Sequence, residues 1–183
     1  MPLFCTESHL VCLWLESLQI HGQYNNVTTS SSSSISLNQW YNILMQYDES
    51  EYRLKLYIDG NLSGTVAATE PLHLANYTDP SDVVLYLGTD KQSYYEGLID
   101  EVKFYSVAIL ETEIQGHISM ISMDKYPSFH KYGQLHFKMD QGSGSKFIKN
   151  EGLLNLSSKI HGNSTFVQSL QDFARFKLQY PNN

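Results

Sequence analysis

The 183-residue sequence predicts an all-β fold, an antiparallel sandwich or barrel with one short helix. Residues 52–58 alternate side chains with the period of a strand that buries one face. Short apolar runs recur at residues 40–47, 83–88 and 98–105, and turn residues separate them. Regularly spaced short strands of this kind are typical of antiparallel all-β domains.

The first strand is predicted at residues 10–20, and the serine-rich residues 28–36 are predicted to form a low-complexity loop or a frayed hairpin tip. Trp40 then leads the second strand, and a hairpin strand follows it. On this hairpin strand Tyr52, Leu54, Leu56 and Ile58 are expected to face the core, with Arg53, Lys55, Tyr57 and Asp59 on the other face.

Asp59 and Gly60 predict a two-residue type I′ turn, because both residue types tolerate the positive φ angles that this turn requires. Residues 61–67 should therefore return antiparallel to the hairpin strand. Further on, Leu110, Ile114, Ile118 and Ile121 recur at helical spacing, with the acidic Glu111 and Glu113 in the first turn. This pattern predicts a short helix that packs over one end of the sandwich.

Four segments in fixed order carry a family resemblance: NQWYNILMQYD, LKLYIDGNLSG, LYLGTD and YYEGLIDEVKFYSVAILETEI. They resemble laminin-G-like jelly-roll domains of the concanavalin A-like lectin and glucanase superfamily, which also includes the pentraxins. The resemblance covers roughly residues 9–121 and implies an antiparallel jelly-roll β-sandwich. The family domain is longer, and this chain has no room before Leu10 for the opening strands of that domain, so we expect an N-terminally truncated domain.

Residues 132–170 resemble the beginning of a second domain of this kind, with an Asp-x-Gly-x-Gly turn after a strand. The predicted organisation is an incomplete laminin-G-like domain at 1–123, a linker at 124–131 and an incomplete second copy at 132–183. We interpret the chain as a fragment of a longer tandem-repeat protein or an incomplete gene model.

The composition excludes some classes of partner. Nineteen acidic residues against twelve Lys and Arg give a formal charge of −7, whereas nucleic-acid binding needs clustered basic groups. The longest uncharged segment, residues 19–47, is rich in Ser, Thr, Asn and Gln, so no membrane insertion is expected in this chain.

Five Asn-x-Ser/Thr triplets favour a secreted or cell-surface glycoprotein, although a chain that never enters the secretory pathway would also match. The acceptors are Asn26, Asn61, Asn76, Asn155 and Asn163. Cys5 and Cys12 could not bridge on a single strand. They could pair across a turn at residues 7–9, or each could have a partner outside this chain.

Asp100 is the residue that we single out, since the predicted strand at 98–105 turns it inward among apolar neighbours. A buried carboxylate must be hydrogen-bonded, paired or metal-bound. A structural aspartate satisfies this rule, and so does a calcium ligand of the kind that the resemblance implies at the sandwich rim. The loop acids that could join a calcium site are Asp79, Asp82 and Asp90.

The glucanases of the resembled superfamily carry a Glu-x-Asp-x-x-Glu strand, and this sequence has none. Retaining hydrolysis needs two carboxyl groups about 5 Å apart, so we expect no enzyme activity. The expected function is a non-catalytic extracellular recognition or adhesion module that binds glycans or protein partners with the help of calcium. Alternatives are an accessory substrate-binding domain of a larger glycan-processing enzyme, or a structural spacer.

Overall fold

A computed structural model describes residues 1–6, 9–69, 84–118, 133–139, 145–153, 158 and 160 of the chain. The chain divides into a larger unit, residues 1–99 with 105–133, and a smaller unit, residues 100–104 with 134–183. The elements in chain order are β1 (Pro2–Thr6), β2 (Val11–Glu16), β3 (Gln19–Tyr24), β4 (Val27–Ser30), β5 (Ile43–Asp48), β6 (Arg53–Ile58), β7 (Asn61–Ala67), β8 (Leu85–Leu87), β9 (Val102–Tyr105), α1 (Glu111–Ile118) and β10 (Gly133–Phe137).

The larger unit is an antiparallel β-sandwich, which confirms the predicted fold class. One sheet has five strands in the order β4-β3-β2-β1-β8, and the other has three in the order β5-β6-β7. Leu15 and Ile20 of the first sheet pack with Leu56 of the second in one buried cluster. Gly22 lies opposite Leu13 on this inner face, where a Cβ atom would collide with the sulfur of Met45.

The first 24 residues contain three strands in place of the single strand that we predicted, and the N-terminal truncation stays a prediction. The segment before Leu10 contains a strand, β1, which pairs antiparallel with both β2 and β8. The single strand predicted at residues 10–20 is a hairpin, because Ser17 and Leu18 adopt φ angles of 50° and 63° and reverse the chain. As a result Glu16 lies opposite Gln19, and β2 and β3 are neighbours in the sheet.

The loop predicted at residues 28–36 is partly a strand, because β4 extends to Ser30. The next residue, Ser31, is buried, and its hydroxyl accepts the backbone N–H of Ile20 at 3.1 Å. Ser32 then donates its N–H to the carbonyl oxygen of Ser63 at 2.7 Å. The serine run therefore links the edge of the five-stranded sheet to β7 of the other sheet.

The predicted hairpin turn is confirmed. Asp59 and Gly60 have φ angles of 48° and 78°, and Ile58 pairs with Asn61 across the turn. Leu54 and Leu56 are fully buried as expected.

The prediction that β6 exposes its other face was wrong, since Lys55 and Tyr57 are also buried. The Lys55 ammonium lies 3.2 Å from a carboxylate oxygen of Asp48 and 2.8 Å from one of Glu51. The Tyr57 hydroxyl donates to Glu111 of α1 at 3.0 Å, and its ring packs against Ile114. Burial, together with the bond to Glu111, raises the pKa of Tyr57 to about 12.

The predicted short helix is confirmed as α1, and its contacts explain the second buried face of β6. Ile114 of the helix and Ile109 before it are both buried beside Tyr57. The backbone N–H of Ile109 donates to the side-chain oxygen of Gln46 at 3.0 Å. No helix in the described part of the chain is long and apolar enough to cross a membrane.

The smaller unit contains the pairing of β9 with β10. His136 is buried, and its Nε2 lies 2.8 Å from a carboxylate oxygen of Glu101. The strand predicted at residues 98–105 begins only at Val102, because Glu101 has a φ angle of 53°, which no extended strand has. The predicted linker at 124–131 lies outside the described residues, and the second domain copy stays a prediction.

Candidate functional site

The strand register brings a row of polar and aromatic side chains to the outer face of the five-stranded sheet. Leu13 and Leu15 point into the core, so the alternate residues of β2 point outward. These are Cys12, Trp14 and Glu16, and their antiparallel partners on β3 are Gln23, His21 and Gln19. On β4, Thr28 lies opposite Gln23 and Ser30 lies opposite His21.

An aromatic pair forms the centre of this outer face. The rings of Trp14 and His21 stack with their centroids 5.2 Å apart and an interplanar angle of 14°. Nδ1 of His21 lies 2.8 Å from the Ser30 hydroxyl, and Nε1 of Trp14 donates to Glu16 Oε2 at 3.3 Å. Because each ring has both a stacking and a hydrogen-bond partner, the pair is held in one orientation.

A cavity of about 360 Å³ opens beside the aromatic pair. Its lining residues are Met1, Pro2, Cys5, His9, Cys12, Trp14, Glu16, Gln23, Asp90 and Ser93. Imidazole covers one face of the indole, and Trp14 is one of the residues that line this space. The cavity therefore combines an aromatic surface with amide, hydroxyl and carboxylate groups.

A disulfide between Cys5 and Cys12 lies in the cavity wall. The two cysteines are directly opposed on β1 and β2, with Cα atoms 4.2 Å apart. Of the two pairings left open by the sequence, the structure has the bridge across the chain reversal. His9, at this reversal, has a φ angle of 56° and donates its N–H to the Thr6 carbonyl oxygen at 2.9 Å.

The loop that follows β8 supplies the other acidic group of the cavity. Asp90 Oδ1 accepts the backbone N–H of Ser93 at 2.7 Å and that of Gln92 at 2.9 Å. The bond from Ser93 is the main cause that holds the pKa of Asp90 below its usual value, and the bond from Gln92 adds to it. Asp90 is therefore ionised at neutral pH while it keeps this loop in shape.

A laminin-G family model, described as the concanavalin A-like lectin/glucanases superfamily, matches residues 13–115, more than half of the chain. The chain belongs to this superfamily. The match begins within β2 and extends past β9, so it includes most of the concanavalin A-like sandwich described above.

The fold is also similar to that of a solved structure, a proposed carbohydrate-binding protein from Bacteroides ovatus. The TM-score is 0.60 at 15% sequence identity, and the aligned region covers 91% of this chain and 50% of that one. At this identity the likeness shows the fold alone. Comparison with the curated proteins gives no match.

Of the four predicted calcium ligands of this concanavalin A-like chain, the structure describes two, Asp90 and Asp100. Asp90 lines the cavity of the larger unit, whereas Asp100 belongs to the smaller unit. Asp100 is partly buried just before β9, and its Oδ1 accepts the N–H of Glu101 at 2.9 Å. Asp79 and Asp82 lie outside the described residues. The calcium site stays a prediction.

Among the described residues, one group of side chains is arranged so that it could hold a metal ion: Cys5, His9 and Cys12. Its ligand atoms all lie within 4.8 Å of one another. Both sulfur atoms are bonded to each other in the disulfide, so they offer no thiolate for a metal ion.

Two of the five predicted glycosylation sites lie in described parts of the concanavalin A-like domain. Asn26 is exposed in the turn between β3 and β4, and Asn61 is exposed directly after the β6–β7 turn. Asn61 Nδ2 donates to the carbonyl oxygen of Asp59 at 3.3 Å. The remaining acceptors, Asn76, Asn155 and Asn163, lie outside the described residues.

Sequence reasoning did not single out Trp14, His21, Glu16 or Gln23. The alternation of Cys12, Trp14 and Glu16 with leucines was visible as a period-2 pattern and could have marked one face. The pairing with His21 was hidden, because it depends on the turn at Ser17 and Leu18, which divides the strand predicted at residues 10–20.

Proposed function

We propose that this protein is a non-catalytic extracellular recognition module that binds glycans in the cavity on the outer face of its five-stranded sheet. The stacked pair of Trp14 and His21 at the cavity is the observation that carries the proposal. Sugar rings have apolar C–H faces, which suit an aromatic surface, and hydroxyl groups, which need polar partners. Glu16 and Gln23 both line the cavity. Gln23 Nε2 already donates to the carbonyl oxygens of His9 and Asn25, so its amide oxygen and the Glu16 carboxylate are the groups that can accept from sugar hydroxyls.

Two further facts support glycan binding. The larger unit is a concanavalin A-like sandwich, and a protein of similar fold is itself a proposed carbohydrate-binding protein. The cavity is also large enough for one or two sugar rings, since small-ligand sites begin at about 300 Å³.

The state of Asp90 argues against a role as the general acid of a glycosidase. A general acid of a glycosidase needs a carboxyl group with a raised pKa. The loop N–H groups of Ser93 and Gln92 act in the opposite direction and lower the pKa of Asp90. Asp90 is therefore suited to accept hydrogen bonds from hydroxyl groups and unsuited to donate a proton to a leaving group.

The test of this proposal is a glycan array followed by calorimetric titration of the best oligosaccharide. Trp14→Ala is expected to weaken its affinity about tenfold or more, equivalent to roughly 1.4 kcal/mol, because the stacking surface is lost. The matched control is Trp40→Ala, which removes a tryptophan that is 39% exposed and does not line the cavity. Its affinity should stay within about twofold of the unmodified protein.

Absence of binding to every glycan on the array would overturn the proposal, and so would full affinity in Trp14→Ala. The proposal includes calcium as an aid to binding, as expected from the loop acids, so the titration is repeated after chelation. Chelation is expected to weaken the affinity. Unchanged affinity would remove calcium from the proposal and leave the glycan site standing.

The extracellular location is proposed from the glycosylation triplets. Asn26 and Asn61 are both exposed at hairpin ends, where an oligosaccharide transferase can reach them. Expression through a eukaryotic secretory pathway should give protein whose mass falls after endoglycosidase treatment. Asn26→Gln with Asn61→Gln should reduce that loss of mass, whereas an unglycosylated secreted product would contradict the assignment.

A further inference from the structure

The disulfide in the cavity wall joins two cysteines that lie beside a histidine. We propose that reduction of this disulfide converts Cys5, His9 and Cys12 into a binding site for a thiophilic divalent metal ion, Zn²⁺. In the reduced protein the two sulfur atoms are thiolate ligands, and the imidazole is the third ligand. The proposal concerns a second redox state of the cavity wall and does not depend on glycan binding.

The three side chains are close enough to share one ion. One ligand atom from each lies within 4.8 Å of those of the other two. Zn²⁺ binds thiolate sulfur at about 2.3 Å and imidazole nitrogen at about 2.0–2.1 Å, so neighbouring ligand atoms of a tetrahedral site lie about 3.5–3.8 Å apart. The sulfur atoms must therefore separate from bonding distance, and rotations of the side chains supply movements of this size.

The sheet holds the two cysteines in place independently of the disulfide. They are directly opposed on β1 and β2, with Cα atoms 4.2 Å apart. Cys5 also pairs with Tyr86 of β8, and Cys12 pairs with Gln23 of β3. Because β1 and β2 each have hydrogen-bonded neighbours on both sides, loss of the covalent bond leaves the two sulfur atoms facing each other.

Backbone hydrogen bonds position His9 at the chain reversal between these strands. Its N–H donates to the Thr6 carbonyl oxygen at 2.9 Å, and its own carbonyl oxygen accepts Gln23 Nε2 at 3.0 Å. The Thr6 hydroxyl oxygen accepts the N–H of Val11 at 3.1 Å across the reversal. His9 is exposed, and it lines the cavity with the two buried cysteines, so the cavity gives a reductant and a metal ion a path to the sulfur atoms.

The change of state needs a reductant, and a dithiol supplies it. The dithiol passes two electrons and two protons to the S–S bond, which breaks to give two thiols, while the dithiol itself closes to a disulfide. Zn²⁺ then displaces the two thiol protons, and tetrahedral coordination leaves one position for water. The oxidised chain offers no thiolate here, so the site exists in one redox state alone.

The experiment titrates Zn²⁺ into the full chain in both redox states. The disulfide is reduced with a trialkylphosphine, which takes oxygen from water to become the phosphine oxide, and excess phosphine is then removed under anaerobic conditions. We expect the reduced protein to bind one equivalent of Zn²⁺ about a hundredfold or more tightly than the oxidised protein. Co²⁺ in place of Zn²⁺ should give the sulfur-to-metal charge-transfer absorption of thiolate ligands.

Variants separate the three ligands. His9→Ala leaves the disulfide intact and is expected to weaken the Zn²⁺ affinity of the reduced protein about tenfold or more. His9→Asp supplies a carboxylate ligand at the same position and should recover part of this loss. Cys5→Ser removes one thiolate and is expected to abolish the charge-transfer absorption of a two-thiolate site. Each variant is melted first, so that ligand loss is compared among folded proteins.

Three results would overturn the proposal. Equal Zn²⁺ affinity in the two redox states would place the ion elsewhere on the chain. Loss of the cooperative melt on reduction would show that the sheet does not hold the two thiols in register. Unchanged affinity in reduced His9→Ala would show that the imidazole is not a ligand.

Discussion

Replacing Leu56 with alanine is expected to lower the free energy of unfolding by about 3–4 kcal/mol. Leu56 is fully buried in the central strand of the three-stranded sheet, where it packs between the two sheets against Leu15 and Ile20. The truncation removes apolar contacts and leaves a cavity that strands held by hydrogen bonds on both sides cannot collapse to fill. Urea unfolding with a constant m value measures the loss.

The matched control for this prediction is Leu62→Ala. Leu62 belongs to the adjacent strand β7 and is 51% exposed, so the same chemical change should cost less than about 0.5 kcal/mol. Equal costs for the two variants would show that the interface around Leu56 is not the core of the sandwich. Folded Leu56→Ala protein should keep its glycan affinity, because Leu56 does not line the cavity.

Removal of the disulfide with Cys5→Ala and Cys12→Ala together is expected to cost about 2.5 kcal/mol of stability. A bridge that closes a loop with a sequence separation of seven restricts the unfolded chain by about this amount. Since both cysteines line the cavity, the double variant should also bind glycans more weakly. Thermal melts and calorimetric titration report the two effects separately.

Chemical reduction provides the internal control for the disulfide. Adding a dithiol to the unmodified protein should lower its melting temperature towards that of the double variant. The same reagent should leave the double variant unchanged, because the described part of the chain contains no free cysteine and the sequence has only these two. A melting temperature that reduction does not alter would contradict the prediction.

Several elements followed from local sequence patterns. The turn at Asp59 and Gly60 was predictable, because positive φ angles are a property of the residues themselves. The burial of Leu54 and Leu56 followed from the two-residue period of a strand. The helix α1 followed from apolar residues at helical spacing with acidic residues in its first turn.

Other features depended on partners far along the chain. The sequence pattern predicts that Lys55 is an exposed strand residue. It is buried, because Asp48, Glu51 and Glu111 surround its ammonium group. The run of serines predicts a low-complexity loop. Ser31 is nevertheless buried, and its hydroxyl accepts a hydrogen bond from the backbone N–H of Ile20. The strand β1 is too short to be predicted from a sequence pattern, and its pairing with β8 spans about eighty residues.

The sequence by itself therefore determined the all-β class, the central hairpin, the helix and the superfamily, since each of these depends on neighbours within a few residues or on an ordered set of motifs. Only the tertiary structure decided which residues form the proposed glycan-binding cavity. Trp14, His21 and Ser30 become neighbours through the register of three strands, and Asp90 joins them through the pairing of β1 with β8. Such register is set by packing of the whole sheet against its core, which no local pattern encodes.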